Sequence, residues 1–256
     1  MARSQELRKE VQLLMLYLIG LGLDLKDISL KALESLKKCD LIYLEVYTNT
    51  FAYIQKDLEK VIGKKVIPAD RKFVEEGKEI LENAKKKKVA LLVSGDPLAA
   101  TTHIELLMRA EKEKIKVKII HSTSVFSLIS ETGLQLYKFG KTASIAKWTG
   151  DFKPESFYDI IKKNQSIDAH TLILIDIGLP VKEALDYLES IARTRDPTML
   201  EKKILVCENL GNDKQKISHA NIEHLIKKKF SLPACIIIPS KLHFMEEEML
   251  NRFKLK

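Results

Sequence analysis

Residues 89–103 read VALLVSGDPLAATTH. Val89 to Val93 is a continuous apolar run with β-branched members, the pattern of a strand buried on both faces at the centre of a parallel sheet. Ser94-Gly95-Asp96-Pro97 ends it abruptly: Gly95 permits a positive φ, while Pro97 fixes its own φ and biases Asp96 toward extended backbone. Thr102, with Glu105 three residues later, carries the capping-box pattern of a helix start. One carboxylate, Asp96, is therefore expected in a stiff turn at the carboxyl end of a central strand, the edge at which open α/β sheets place their ligands.

Toward the N-terminus the same alternation repeats. Leu16 to Ile19 reads as a first strand that Met15 begins, running into Gly20-Leu21-Gly22-Leu23, and Asp27 or Ser29 can cap a helix carrying Leu30, Leu33 and Leu36. A strand at Leu41 to Tyr47, a helix with Ile54, Leu58 and Val61 on one face and Gly63 as its stop, and a short strand at Lys65 to Ile67 follow. One helix bearing Phe73, Gly77, Ile80, Leu81 and Ala84 leads into the central strand. Val117 to His121 closes the run, and strict β/α alternation of this kind requires a parallel sheet with helices on its faces.

Toward the C-terminus, a short helix ending near Gly133 and an irregular connection at Leu136 to Gly140 precede a second alternation. It comprises a strand at Thr142 to Ala146, a helix from Pro154 to Asn164, a strand at His170 to Ile177, and a helix with Val181, Leu185, Leu188 and Ile191 on one face. Strands at Ile204 to Cys207 and Cys235 to Ile238 bracket a helix near Ile222 to Lys227, and a last helix begins after His243. The expected organisation is an extension at 1–14, an α/β domain at 15–121 and a second at 122–256.

The 256 residues are 45% apolar with 10 Gly and 7 Pro, a composition suited to a globular core and not to disorder. The net charge of +8, from 43 Lys plus Arg against 35 Asp plus Glu, is compatible with an acidic macromolecular partner. Much of the lysine falls on helix faces or, as at Lys85 to Lys88, at a helix C-terminus whose dipole it complements. Cys39, Cys207 and Cys235 are odd in number and outside any CxxC spacing, which argues for a reducing compartment and against a zinc site. Arg3, Arg8 and Lys9 before the apolar run Val11 to Leu23 imitate a secretory signal. The run nevertheless contains Gln12, Gly20 and Gly22, lacks a small-residue cleavage site and is too short to span a bilayer, so a cytosolic protein is expected.

A strand ending in GxG invites a dinucleotide-binding interpretation, with Glu45 where a ribose-binding acid would stand. The third glycine of that fingerprint is replaced by Leu25, and Asp24 sets an anion where pyrophosphate should bind. There is no P-loop, no GxSxG elbow and no paired Cys and His motif. His103, His121, His170, His219, His224 and His243 show no metal-ligand spacing, and for each a surface or hydrogen-bonded structural role is expected. What stands out is the pairing of two glycine turns, Gly20-Leu21-Gly22 and Gly95-Asp96-Pro97, each ending a strand of one sheet. Minimal side chains there are expected to offer backbone groups to a ligand, with Leu23, Leu98 and Ala99 covering it and Ser122 to Ser124 adding hydroxyls.

Several segments carry a resemblance. LYLIGLGL at 16–23, SGDPLAATTH at 94–103, GLQLYKFGKTASIA at 133–146, PESFYDIIKKN at 154–164, HTLILIDI at 170–177 and KLHFMEEEML at 241–250 are similar to the diphthine synthases, a branch of the tetrapyrrole-methylase-like methyltransferases. The resemblance implies two tandem α/β domains of the tetrapyrrole methylase type with the cofactor cleft between them, and S-adenosylmethionine as that cofactor. It implies methylation of the amino group of a modified histidine on elongation factor 2. Cofactor-binding positions implied by it are Leu23, Asp96, Ala99, Ser124, Val125, Ile175, Leu210 and His243, and no catalytic residue is assigned. Glu208-Asn209-Leu210-Gly211 departs from an ARxG-like segment of the family. A cytosolic homodimer with no membrane and no stable nucleic-acid partner is expected. The rival expectations are a methylase of tetrapyrrole precursors and a nucleotide- or RNA-binding module.

Overall fold

The structure, a computed structural model, describes residues 15–48 and 55–255. The expected extension at 1–14 and Ile54 of the second helix lie outside the described residues. The chain divides into two compact units, Met1–Ser124 and Val125–Lys256.

The first unit contains β1 (Met15–Gly20), α1 (Leu30–Lys37), β2 (Leu41–Glu45), α2 (Gln55–Ile62), β3 (Ile67–Ala69), α3 (Arg71–Glu76), α4 (Lys78–Ala84), β4 (Lys88–Val93), α5 (Ile104–Lys112) and β5 (Lys116–Ile120). Its strands lie in the order β3-β2-β4-β1-β5, and every pairing is parallel. The apolar runs alternate between two cores, as a sheet covered on both faces requires: Tyr17, Ile19, Ala90 and Leu92 pack on one side, Leu16, Leu18, Val89, Leu91 and Val93 on the other.

Four local expectations need correction. The third strand starts at Ile67, because the Val66 N–H donates to Glu59 Oε1 at 3.0 Å and its carbonyl accepts from Gln55, which leaves residue 66 tied to α2. The single helix expected before β4 is two, since Gly77 adopts φ +56 and closes α3 as a left-handed cap. Val61 is exposed, and α2 buries Leu58 and Ile62. Thr102 does not cap α5: Glu105 N–H bonds the Thr102 main-chain carbonyl, and His103 occupies the cap position with its ring turned inward.

The second unit contains α6 (Val125–Leu128), β6 (Ala143–Ile145), α7 (Ser156–Gln165), β7 (Thr171–Ile175), α8 (Val181–Arg195), β8 (Lys203–Glu208), β9 (Lys216–Asn221), α9 (Ile222–Ile226), β10 (Ala234–Ile238) and α10 (Phe244–Asn251). The sheet order is β6-β7-β10-β8-β9. Only β6 and β7 pair in parallel, and the remaining pairs are antiparallel. The strand β9 is absent from the sequence expectation. Its residues KISHAN are mostly polar, because it is an edge strand whose His219 main chain pairs with Phe253 and Leu255. Among the described residues no helix is long and apolar enough to cross a membrane.

Candidate functional site

In the first unit, β1, β4 and β5 end together, and glycine makes their approach possible. A Cβ on Gly20 would lie 2.6 Å from Gly95 O, 2.9 Å from Pro97 Cδ and 3.0 Å from Ser122 Cβ, so no larger residue fits there. Gly22 and Gly95 both adopt positive φ, +74 and +72. Their main chains bond each other reciprocally, Gly22 N–H to Gly95 O at 3.2 Å and Gly95 N–H to Gly22 O at 2.9 Å. This corrects the expectation that the two turns offer free backbone groups to a ligand: at these two residues they satisfy one another.

Two carboxylates tie the segment after β5 to the two glycine turns. Asp27 Oδ2 accepts from the N–H groups of Leu23 (2.9 Å) and Asp24 (3.1 Å) and from the Thr123 hydroxyl (2.9 Å). A Cβ on Gly22 would sit 2.2 Å from Asp27 Cβ, so Gly22 is required for that carboxylate to reach under the turn. Asp96 Oδ1 accepts from Leu98 N–H at 3.0 Å, and Oδ2 accepts from Ser122 N–H at 3.1 Å and faces His121 Nδ1 at 2.8 Å. The result is a cradle over Gly95: an added Cβ there would lie in ordinary van der Waals contact with Leu23 Cδ2 at 3.6 Å, Thr123 O at 3.7 Å and Ser124 Cβ at 3.9 Å. Leu23, Asp96, Ala99 and Ser124 are all half-buried around these turns. In the sequence interpretation Asp27 has only a capping role, and Thr123 enters only within Ser122 to Ser124 as a source of hydroxyls.

Glu45 ends β2 but is fully buried, with Oε2 2.8 Å from Nε2 of the equally buried His103. His103 Nδ1 faces Pro97 O at 2.9 Å, and the Thr101 hydroxyl donates to the same carbonyl at 2.7 Å. Glu45 thus braces the Asp96 turn from below and is closed to a ribose.

The second unit is organised by Glu246, on α10 and completely buried. Its Oε1 accepts from Gln135 N–H (3.0 Å) and His170 Nε2–H (3.1 Å); its Oε2 accepts from His243 N–H (2.8 Å) and the Lys138 ammonium. Burial alone would raise this carboxyl, but the Gln135 and His243 N–H groups, then Lys138 and His170, outweigh it and hold the pKa at about 2. Burial lowers the pKa of His170. Ser240 N–H donates to its Nδ1 at 2.9 Å, so the neutral ring carries its proton on Nε2 toward Glu246. Three segments that carry the resemblance, those holding Gln135 and Lys138, His170, and His243 and Glu246, therefore meet at one carboxylate.

Of the unit's remaining expected site residues, Val125 begins α6 and packs on the same apolar cluster as Leu210. Leu210 follows Asn209, which adopts φ +49. The departing segment is built in: Glu208 accepts from Ser231 N–H and hydroxyl at 2.7 and 2.9 Å, and the Asn209 amide donates to the same hydroxyl at 2.9 Å. Ile175 ends β7, paired with Ile145, and packs on the cluster of the opposite sheet face. His243 is exposed at the N-cap of α10 and accepts from Met245 N–H at 3.4 Å.

The profile of the tetrapyrrole (corrin/porphyrin) methylases matches residues 15–226. The chain is 50% identical over 266 residues to the diphthine methyl ester synthase of Schizosaccharomyces pombe, covering 93% of this chain and 94% of that one. It is 41% identical over 250 residues to the diphthine synthase of Methanococcus aeolicus, covering 93% and 97%. The crystal structure of a diphthine synthase superposes with a TM-score of 0.85 at 34% identity, covering 94% of this chain and 96% of that one. The tandem α/β architecture, the strand-end cradle and these identities agree: the chain belongs to the tetrapyrrole methylase family, among its diphthine synthases, and is a methyltransferase.

Proposed function

We propose that this methyltransferase uses S-adenosylmethionine to methylate the amino group of the modified histidine of elongation factor 2, acting in the cytosol as a homodimer. The observation that carries the donor assignment is the cradle over Gly95, where an apolar wall from Leu23, the Thr123 carbonyl and the neighbouring Ser124 suit a ligand with an aromatic base and polar edges. When bound, S-adenosylmethionine supplies an electrophilic methyl on a positively charged sulfur, so displacement by a neutral amine depends chiefly on alignment. Leu23 and Ala99 would exclude water, and Asp96 would hold the turn. Val125, Ile175, Leu210 and His243 are carried into the same proposal by the family resemblance.

A second acceptor atom is raised by the names of the relatives, which include methyl ester synthases at 37–50% identity beside diphthine synthases at 40–41%. A methyl ester requires a carboxylate oxygen as nucleophile, which needs no deprotonation.

Incubation with methyl-labelled S-adenosylmethionine tests the proposal, using elongation factor 2 from cells arrested at the precursor. Label should enter the precursor-bearing factor and not one whose target histidine is replaced, and an ester fraction should be released by mild alkali. Label appearing instead on a tetrapyrrole precursor, or equally on the replaced factor, would contradict the acceptor.

A further inference from the structure

We propose that His121 is the general base of amine methylation, taking the acceptor's proton on Nε2 while Asp96 holds its ring. The proposal rests on the amine-methylating function above. His121 directly follows β5, at the same strand-end edge as the Gly95 cradle, and its Nδ1 lies 2.8 Å from Asp96 Oδ2. A carboxylate only accepts, so Nδ1 carries the hydrogen and Nε2 keeps its lone pair. The carboxylate is itself held by the N–H groups of Ser122 and Leu98. The ring therefore has a fixed tautomer and a fixed partner, the arrangement by which an aspartate orients a histidine base.

His224 and His243 are exposed as well, and what separates His121 from the others is an exposed ring held on a shielded carboxylate. The His121 side chain is 64% exposed and that of Asp96 only 15%, so the ring can meet an incoming side chain while its partner is shielded. His103 and His170 are fully enclosed, with both ring nitrogens engaged, and His219 is buried against Leu250 O. His243 already spends Nδ1 on Met245 N–H.

The step balances as follows. An N–H bond of the protonated amine breaks and its proton passes to His121 Nε2. The freed lone pair then forms the new N–C bond to the methyl carbon as the carbon–sulfur bond breaks, its electron pair remaining on sulfur as a neutral thioether. The imidazolium returns its proton to water before the next methyl. Each methylation of the amine releases one proton, so the base acts repeatedly, whereas attack by a carboxylate oxygen would bypass it.

Single-turnover transfer to precursor-bearing elongation factor 2 is measured for wild type, His121→Ala and His121→Gln, with donor affinity read by calorimetry. Loss of donor affinity is not expected. Amine methylation should fall on the order of 100-fold in both variants, and added imidazole should restore part of the His121→Ala rate. Nitrogen-15 spectra of the wild-type protein should show the Nδ1–H tautomer of His121, and Asp96→Asn should abolish that preference. Wild-type transfer rates in both variants, a loss that imidazole does not rescue, or an Nε2–H tautomer in the wild type would each overturn the proposal. A wild-type enzyme that fails to label the factor would instead defeat the functional assignment on which it rests.

Discussion

Asp27 and Asp96 in the first unit are half-buried, and each gathers donors from turns at strand ends. Glu246 in the second unit is completely buried and collects four donors, two of them side chains, from two distant segments and from the cap of its own helix. The difference is one of task. A half-buried carboxylate keeps part of its solvation, so its loss loosens a turn and leaves the sheet beneath it. A buried carboxylate with a cation and an imidazole against it cannot be removed without leaving those donors stranded. The first unit thus holds adjustable chemistry on a rigid parallel sheet, and the second holds a rigid polar node among motifs the sequence disperses.

The sharpest way to break this contrast is Glu246→Ala. It should cost roughly 3–5 kcal/mol in denaturant unfolding, because Lys138 and His170 lose their shared partner inside the protein. The pH dependence follows from the depressed carboxyl. A group with a folded pKa of about 2 against an ordinary 4.5 adds stability above 4.5, and this is lost as pH falls toward 2. Glu246→Gln should therefore flatten the acid limb in that window, and an unchanged limb would show that the node is not ionised.

Gly22→Ala should come next, at about 2 kcal/mol. The new methyl meets Asp27 Cβ and the residue must hold φ +74. A loss of donor affinity should accompany it, because Leu23 and Thr123 are positioned through Asp27. The smallest effect is expected from Thr123→Val, which removes only the hydroxyl bond across the strand ends and should cost about 1 kcal/mol. Donor affinity should again fall more than stability. If Thr123→Val reduced stability as much as Glu246→Ala, the distinction between the two units would fail.

The parallel unit was legible because its strands are continuous apolar runs separated by helical periods, which leaves one solution for the sheet. The helix break at Gly77 was less so, since a glycine inside a helical pattern can be tolerated or can end it, and here its φ of +56 ends α3. The edge strand β9 lacked a signal: KISHAN gains its partners from β8 on one side and from residues near the C-terminus on the other.

For the site, Gly95-Asp96-Pro97 announced its own position. The convergence of Asp27 on Thr123, and of Asp96 on His121, depends on strand order and could not be read from spacing. Glu246 was hidden among three successive glutamates of KLHFMEEEML. The one available clue was helical phase, since Glu246 and Leu250 lie four residues apart and are the two buried members of α10.

The central claim is that the methyl donor binds over Gly95. A crystal structure of the protein with S-adenosylhomocysteine, the demethylated product, tests it most directly. The account predicts ligand density above Gly95 in contact with Leu23 and Ser124, with the reciprocal Gly22 and Gly95 bonds intact. Ligand bound elsewhere on the sheet, with the Gly95 turn left to solvent, would contradict it.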